Sequence, residues 1–303
     1  MWLSFPFLVG TAAIAVAAYT YRRAHQPRWT PPGGRVVKTS SLSVRLLGDT
    51  GPPVLLLHGL VASGLYWGGT YDQLADHNRL LVPDLLGFGR SPRPASGYGP
   101  DDHANAVITC LDELNITEPI VIGAHSLGSL IALRLAAVHP ERVAAIVAFG
   151  PPLYPGTVAA RAHIVAASPI GRLFVLPGRV AQAACKWMCT HRTLAAQLVV
   201  LTHPGLPPEI AADGVQHTWV SYSQTLQQLI LTAEAQTWID RISCPVHLVA
   251  GSHDPVVDNE YLRQLSSRYP VIKLTEWPGR HDLPLSQPAD CVVLIAAAAN
   301  SRV

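Results

Sequence analysis

Apolar residues along this chain gather in short runs bounded by Gly, Pro, Asp and charged residues, the pattern of buried strands between turns. Eight strands are predicted: Val36 to Thr39, Ser43 to Leu47, Pro53 to Leu57, Arg79 to Val82, Pro119 to Gly123, Arg142 to Phe149, Pro245 to Ala250 and Val271 to Trp277. Helix-like runs separate the later ones, among them Ser129 to His139. Strands alternating with helices predict an α/β fold built on a mostly parallel sheet. The alternation breaks between about Pro151 and Gln236, a stretch too long for an ordinary connection. That stretch is helical in character despite Pro155, Pro169, Pro177 and Pro204, and it is rich in apolar and aromatic residues such as Trp187, Met188, Trp219 and Tyr222.

The first 21 residues carry no charged side chain, and Arg22-Arg23 follow at once. About 20 apolar residues suffice to cross a bilayer as a helix. Residues 1–23 are therefore expected to be a transmembrane anchor, with the basic flank holding the rest of the chain in the cytoplasm. The alternative is a signal peptide cleaved near Ala15-Val16-Ala17, followed by secretion. Against it stand the uncharged n-region and the arginines directly after the apolar run. Residues 24–34 read as an extended Pro-rich linker.

Candidate chemistry collects at the ends of the predicted strands. Ala124-His125-Ser126-Leu127-Gly128 lies between the strand Pro119 to Gly123 and the helix-like run after it. A serine on a tight strand-to-helix turn has its hydroxyl exposed, and the N–H of Leu127 then points at an oxyanion formed there. Small residues at 124 and 128 let strand and helix close around the turn. A serine needs a base, and the base needs an orienting group; on such an elbow the order is Ser, then Asp or Glu, then His. Asp254 follows the strand ending near Gly251, and His281 follows the strand ending at Trp277. Asp258 and Asp282 are the substitutes for Asp254. In a parallel sheet these strand ends share one edge. Upstream, His58-Gly59-Leu60 could supply a second oxyanion donor, the N–H of Leu60. His58, His125 and His253 read as bracing or packing residues, and Asp84 with Gly87-x-Gly89 as a supporting turn.

These pieces together resemble the α/β-hydrolase superfamily: His58-Gly59, Pro83-Asp84-Leu85-Leu86-Gly87-Phe88-Gly89-Arg90-Ser91, Ala124 to Gly128, Gly251-Ser252-His253-Asp254-Pro255 and Gly279-Arg280-His281, spanning about residues 35 to 300. The resemblance implies an eight-stranded, mostly parallel sheet whose second strand is antiparallel, with a core at 35–150 and 237–303. It also implies a helical cap at 151–236, inserted after the sixth strand. It implies Ser126 as nucleophile, His281 as base, Asp254 as acid, and an oxyanion hole of Leu60 and Leu127. The expected activity is that of a serine esterase or lipase on a small hydrophobic ester or lipid-like substrate. Enzymes of C–C bond hydrolysis, acyltransferases and haloperoxidase-like enzymes share this order, and some proteins of the fold are non-catalytic receptors. Epoxide hydrolases and haloalkane dehalogenases use a carboxylate nucleophile, which Ser126 opposes.

Composition narrows the picture further. A hydrophobic content of 49% and a charged content of 14% suit a buried parallel sheet, and a net charge of +2 makes nucleic acid an unexpected partner. The five cysteines show no disulfide framework. Cys185-x3-Cys189-x-His191 has some look of a metal site, but two packed thiols on one helix is the simpler reading, so no metal and no cofactor are expected. Nothing in the sequence sets the oligomeric state.

Overall fold

The computed structural model describes residues 29–167, 178–202, 206–232 and 234–301. Eight strands form one sheet: β1 (Arg35–Lys38), β2 (Ser43–Leu47), β3 (Pro53–Leu57), β4 (Arg79–Asp84), β5 (Ile120–His125), β6 (Val143–Phe149), β7 (Val246–Gly251) and β8 (Ile272–Trp277). Their order is β1-β2-β4-β3-β5-β6-β7-β8. Only β2 opposes its neighbours, antiparallel to both β1 and β4, and the other pairings are parallel. This is the predicted α/β-hydrolase sheet.

The continuous apolar runs arise because the central strands are covered on both faces. Leu55 and Leu57 of β3, Ile120 and Ile122 of β5, and Ile146 and Ala148 of β6 join one buried cluster. Their alternates Val54, Leu56, Val121, Val147 and Phe149 join another on the opposite face. The first face is covered by α1 (Pro100–Glu113) and α2 (Leu127–Val138). The second is covered by the 3-10 segment Gly69–Asp76 and by a C-terminal helix, Pro288–Asn300. α2 is buried almost all round, as expected of a helix with no polar face. The C-terminal helix passes close over β5: a Cβ on Gly123 would lie 2.7 Å from Ile295 Cδ1.

Between β6 and β7 lie α3 (Thr157–Ala167), α4 (Arg179–Thr190), α5 (Arg192–Thr202), α6 (Pro208–Gly214), α7 (Trp219–Thr225), a π-helical turn (Leu226–Ile230) and α8 (Ala235–Ile239). α9 (Asn259–Arg268) joins β7 to β8. After β8 come α10 (Leu283–Ser286) and then the helix on the second face, α11.

The expectation of a membrane-anchored chain is overturned. Among the described residues no helix is long and apolar enough to cross a membrane. The longest, α1, has 14 residues, about 21 Å of helix against a hydrocarbon core of roughly 30 Å. Residues 1–23, on which that expectation fell, lie outside the described residues. Of the segment read as a linker, residues 29–34 are described and are tied to the core. The Trp29 indole donates to the Leu65 carbonyl at 3.1 Å, and the Gly33 N–H donates to Asp72 at 2.6 Å.

Candidate active site

Ser126 sits between β5 and α2 at φ +51° and ψ −118°, a left-handed backbone that a non-glycine residue rarely adopts. Strain of this kind persists only where the surroundings impose it. The Ser126 N–H donates to the Phe149 carbonyl at the end of β6 (2.9 Å). A Cβ on Gly128 would fall 2.5 Å from the Leu57 carbonyl oxygen, so only glycine lets α2 start against the end of β3. Ala124, at the other small position, is fully buried.

Two loops reach the same place from the far side of the sheet edge. Asp254 follows β7 in a turn closed by its own N–H on the Gly251 carbonyl (3.1 Å), and His281 follows β8. The loops run side by side, with the Ser252 N–H donating to Trp277 and the His253 N–H to Gly279. A Cβ on Gly251 would meet the Arg280 carbonyl oxygen at 2.5 Å, so the close approach depends on that glycine. His281 Nε2 stands 2.9 Å from Ser126 Oγ, and His281 Nδ1 stands 2.8 Å from Asp254 Oδ2. The Asp254 carboxylate is wholly buried and also accepts the Val256 N–H at 2.8 Å, whereas the His281 side chain is 28% exposed. A carboxylate at Nδ1 keeps the proton there and leaves the Nε2 lone pair to accept the serine hydroxyl. The arrangement can therefore remove the Ser126 proton and stabilise the resulting imidazolium.

His281 Nδ1 is bonded to Asp254 and to neither alternative. Asp258 caps α9 through the Tyr261 N–H (3.0 Å) and faces His163 Nε2 at 3.6 Å. Asp282 follows His281 directly in the chain, and its carboxylate makes no cap bond to α10.

Around the turn carrying Leu60 the packing is tight. A Cβ on Gly59 would lie 3.0 Å from His125 Nδ1 and 3.3 Å from Ser126 Cβ, which puts the Gly59-Leu60 peptide directly beside the serine. Leu127 is the first residue of α2, so its N–H has no partner inside the helix. His58 braces this turn. It accepts the Leu85 N–H at Nε2 (2.9 Å) and donates from Nδ1 to the Gly59 carbonyl (2.7 Å), and burial keeps its pKa low. Asp84 accepts the N–H groups of Gly64 and Arg90, both at 2.7 Å, and so joins the loops after β3 and β4. That is the supporting role read for it. His125 donates from Nε2 to the His281 carbonyl (2.9 Å) and stacks on Tyr66. Desolvation pushes its pKa well down, and it acts on the main chain of the histidine loop. His253 is exposed and bonds Ser252.

Three features escaped the sequence. Gly150, after β6, takes φ +57°, and a Cβ there would lie 3.1 Å from His281 Nδ1 and 3.3 Å from Asp254 Oδ2. Its signal was the lone glycine at a strand end. Val61 takes φ +52°, a costly value for a β-branched residue, directly after Leu60. Its carbonyl oxygen would lie 2.8 Å from a Cβ on Gly214 at the end of α6, and Ser63 donates to Asp213 Oδ2 at 2.7 Å. Helices inserted 150 residues later in the chain thus rest on the turn beside Ser126, a contact that no local pattern encodes.

Comparisons with known proteins agree with this architecture. The alpha/beta hydrolase fold family matches residues 52–283. A protein of Arabidopsis thaliana named probable lysophospholipase BODYGUARD 3 is 27% identical over 244 residues, covering 72% of this chain and 49% of the relative. The 2-hydroxymuconate semialdehyde hydrolase of Pseudomonas sp. (strain CF600) is 35% identical over 129 residues, 41% of this chain and 45% of the relative. The chain thus spans half or less of the length of these curated relatives. Among solved structures, the esterase RhEst1 from Rhodococcus sp. ECU1013 superposes with a TM-score of 0.66 at 21% identity, over 88% of this chain and 98% of that one. The enol-lactonase from Burkholderia xenovorans LB400 does so at 0.67 and 17%, over 88% and 100%. With the family match covering residues 52–283 on the expected sheet, the chain belongs to the α/β-hydrolase family.

Proposed function

We propose that the chain is a serine hydrolase that cleaves a carboxylic ester of a hydrophobic acyl group through an acyl-enzyme on Ser126. The observation that carries the reading is the hydrogen-bonded series Ser126 Oγ, His281, Asp254, built on a left-handed serine. Ser126 attacks the ester carbonyl while His281 Nε2 takes its proton, and the N–H groups of Leu60 and Leu127 receive the oxyanion. The imidazolium then protonates the leaving alcohol, and water releases the acid by the same steps in reverse. Asp254 holds the imidazole tautomer throughout. No step calls for a metal or cofactor.

In this reading the core comprises 35–150 and 237–303, and 151–236 is a cap. A hydrophobic substrate is favoured by the cap's surface. Of nine large hydrophobic side chains that stand exposed among the described residues, six belong to it: Val158, Val180, Trp187, Leu194, Leu198 and Leu201. The relative named a lysophospholipase and the neighbour named an esterase point the same way. A second reading, C–C bond hydrolysis on the same residues, is favoured by the relative named 2-hydroxymuconate semialdehyde hydrolase.

A series of p-nitrophenyl esters from acetate to palmitate tests the first reading. Turnover should rise from the shortest chains to longer ones and disappear in Ser126→Ala. A folded protein that hydrolyses none of them but cleaves a vinylogous 1,5-diketone would overturn it in favour of the second.

A further inference from the structure

Three soft or borderline donors meet in the inserted helices, away from Ser126. Cys185 and Cys189 lie one turn apart on α4, and their sulfurs are 3.9 Å apart. His217, between α6 and α7, brings Nε2 to 3.6 Å from Cys185 Sγ. All three donor atoms lie within 4.8 Å of one another. His191, the nearby histidine in sequence, is turned aside: it stacks on Trp187, and its Nδ1 bonds the Trp187 carbonyl and the Thr190 hydroxyl.

We propose that Cys185, Cys189 and His217 form a zinc site that fastens α4 to the α6–α7 connection. The spacing fits. Zn–S near 2.3 Å and Zn–N near 2.0–2.1 Å at tetrahedral angles require about 3.8 Å between two sulfurs and about 3.6 Å between sulfur and nitrogen. Two of the three distances already have those values, and the third is no more than 4.8 Å. The histidine tautomer fits as well. His217 Nδ1 donates to the Gly214 carbonyl (3.0 Å), so the Nε2 lone pair faces the sulfurs, which is how a metal-bound imidazole is oriented by its outer partner. His217 is buried beside Phe88 and Tyr222, in a wall that shields the site.

Without metal, the Cys189 thiol donates to the His217 carbonyl at 3.1 Å. Binding replaces that bond. Two thiols give up their protons to solvent, two Zn–S bonds and one Zn–N bond form, and the two thiolate charges neutralise the dication. Nitrogen with two thiolates selects zinc over magnesium or calcium, and the fourth position is left to water. The ion would have a structural effect close to the chemistry, because Gly214, which holds His217, packs on the Val61 carbonyl beside Leu60.

The test is a cobalt titration of the reduced, metal-free full-length chain. One equivalent of Co(II) should give the visible d–d bands and near-ultraviolet sulfur charge-transfer band of a tetrahedral thiolate site, and zinc should displace it. Cys185→Ser, Cys189→Ser and His217→Gln should each weaken binding at least tenfold, while His191→Ala should leave it unchanged. Zinc should also protect Cys185 and Cys189, but not Cys244, from alkylation mapped by peptide mass. The wild-type spectrum and the alkylation map need no variant to fold. Absence of the bands in the reduced wild type, or equal bands in a Cys185→Ser/Cys189→Ser double variant, would overturn the proposal. A Cys185–Cys189 disulfide on isolation, with no cobalt uptake after reduction, would overturn it in favour of a redox pair. Ester hydrolysis is not the readout, so the result stands apart from the role of Ser126.

Discussion

Gly150→Ala is the substitution that probes the site most sharply without replacing any of its polar groups. The new methyl would stand 3.1 Å from His281 Nδ1 and 3.3 Å from Asp254 Oδ2, both tighter than a normal carbon contact, at φ +57°. The left-handed backbone alone costs an alanine about 1–2 kcal/mol. At about 2–4 °C per kcal/mol, that lowers the thermal midpoint by roughly 2–8 °C. Relief of the contact must come from the imidazole or the carboxylate, because Gly150 is fixed by its N–H on the Val249 carbonyl (2.8 Å). Displacing the base by several tenths of an ångström to one ångström costs up to about 10²-fold in rate. The loss should fall on kcat, with KM little changed, since no substrate contact is removed. Steady-state kinetics on the best p-nitrophenyl ester, with calorimetry, reads both effects. Gly156→Ala is the control, since a Cβ there meets nothing within 4 Å. Wild-type kcat in a folded Gly150→Ala protein would refute the claim that the Asp254–His281 geometry is held by this backbone and matters to the rate.

Other outcomes follow from the same structure. Asp254→Asn should cut kcat by roughly 10³- to 10⁴-fold with little change in KM, because the amide favours the wrong imidazole tautomer; a loss below tenfold would move the acid to another residue. Ser63→Ala strands the Asp213 carboxylate and removes the Leu65 cap bond, costing about 1–3 kcal/mol in urea unfolding; no change would mean that the inserted helices do not depend on this tie. Stability should also fall with acid. Burial holds His103 down to about 3 from 6.5, so below pH 6.5 the unfolded chain takes a proton that the folded chain refuses. The stability it contributes is complete above that pH and is lost as pH falls toward 3. One such histidine accounts for roughly 1 kcal/mol between pH 7.5 and 5.5. His58 and His125, lowered by the same burial, act in the same sense. Urea midpoints of His103→Gln should therefore depend on pH less steeply than those of the wild type, and equal slopes would show that His103 titrates in the folded protein.

Much of the fold was legible because the sheet is written locally. Pro53 to Leu57 and Ser43 to Leu47 are strands as read, and the other six differ only at their ends. β4 runs on through Pro83 and Asp84 because β2 pairs with both, a partner that the run itself does not reveal. The elbow was legible for a similar reason: small residues on either side of Ser126 announce a tight turn. What the sequence could not show were contacts between distant segments. Gly150 stands in sequence as an ordinary glycine after a strand, and its closeness to His281 depends on loops more than 100 residues away. Ser63 and Asp213 have no shared pattern, and the partner of the two cysteines proved to be His217, because a helix ends and the chain turns back before it. Residues 1–23, whose composition suggested a membrane segment, lie outside the described residues, and no described helix is long and apolar enough to cross a membrane.

The central claim is that Ser126 is a nucleophile activated by His281. Treating the folded wild-type protein with a fluorophosphonate and mapping the adduct by peptide mass spectrometry tests it most directly. The account predicts a single stoichiometric adduct on Ser126, formed far more slowly in Asp254→Asn and absent in Ser126→Ala. A folded wild type that takes no label, or takes it on another residue, would contradict it.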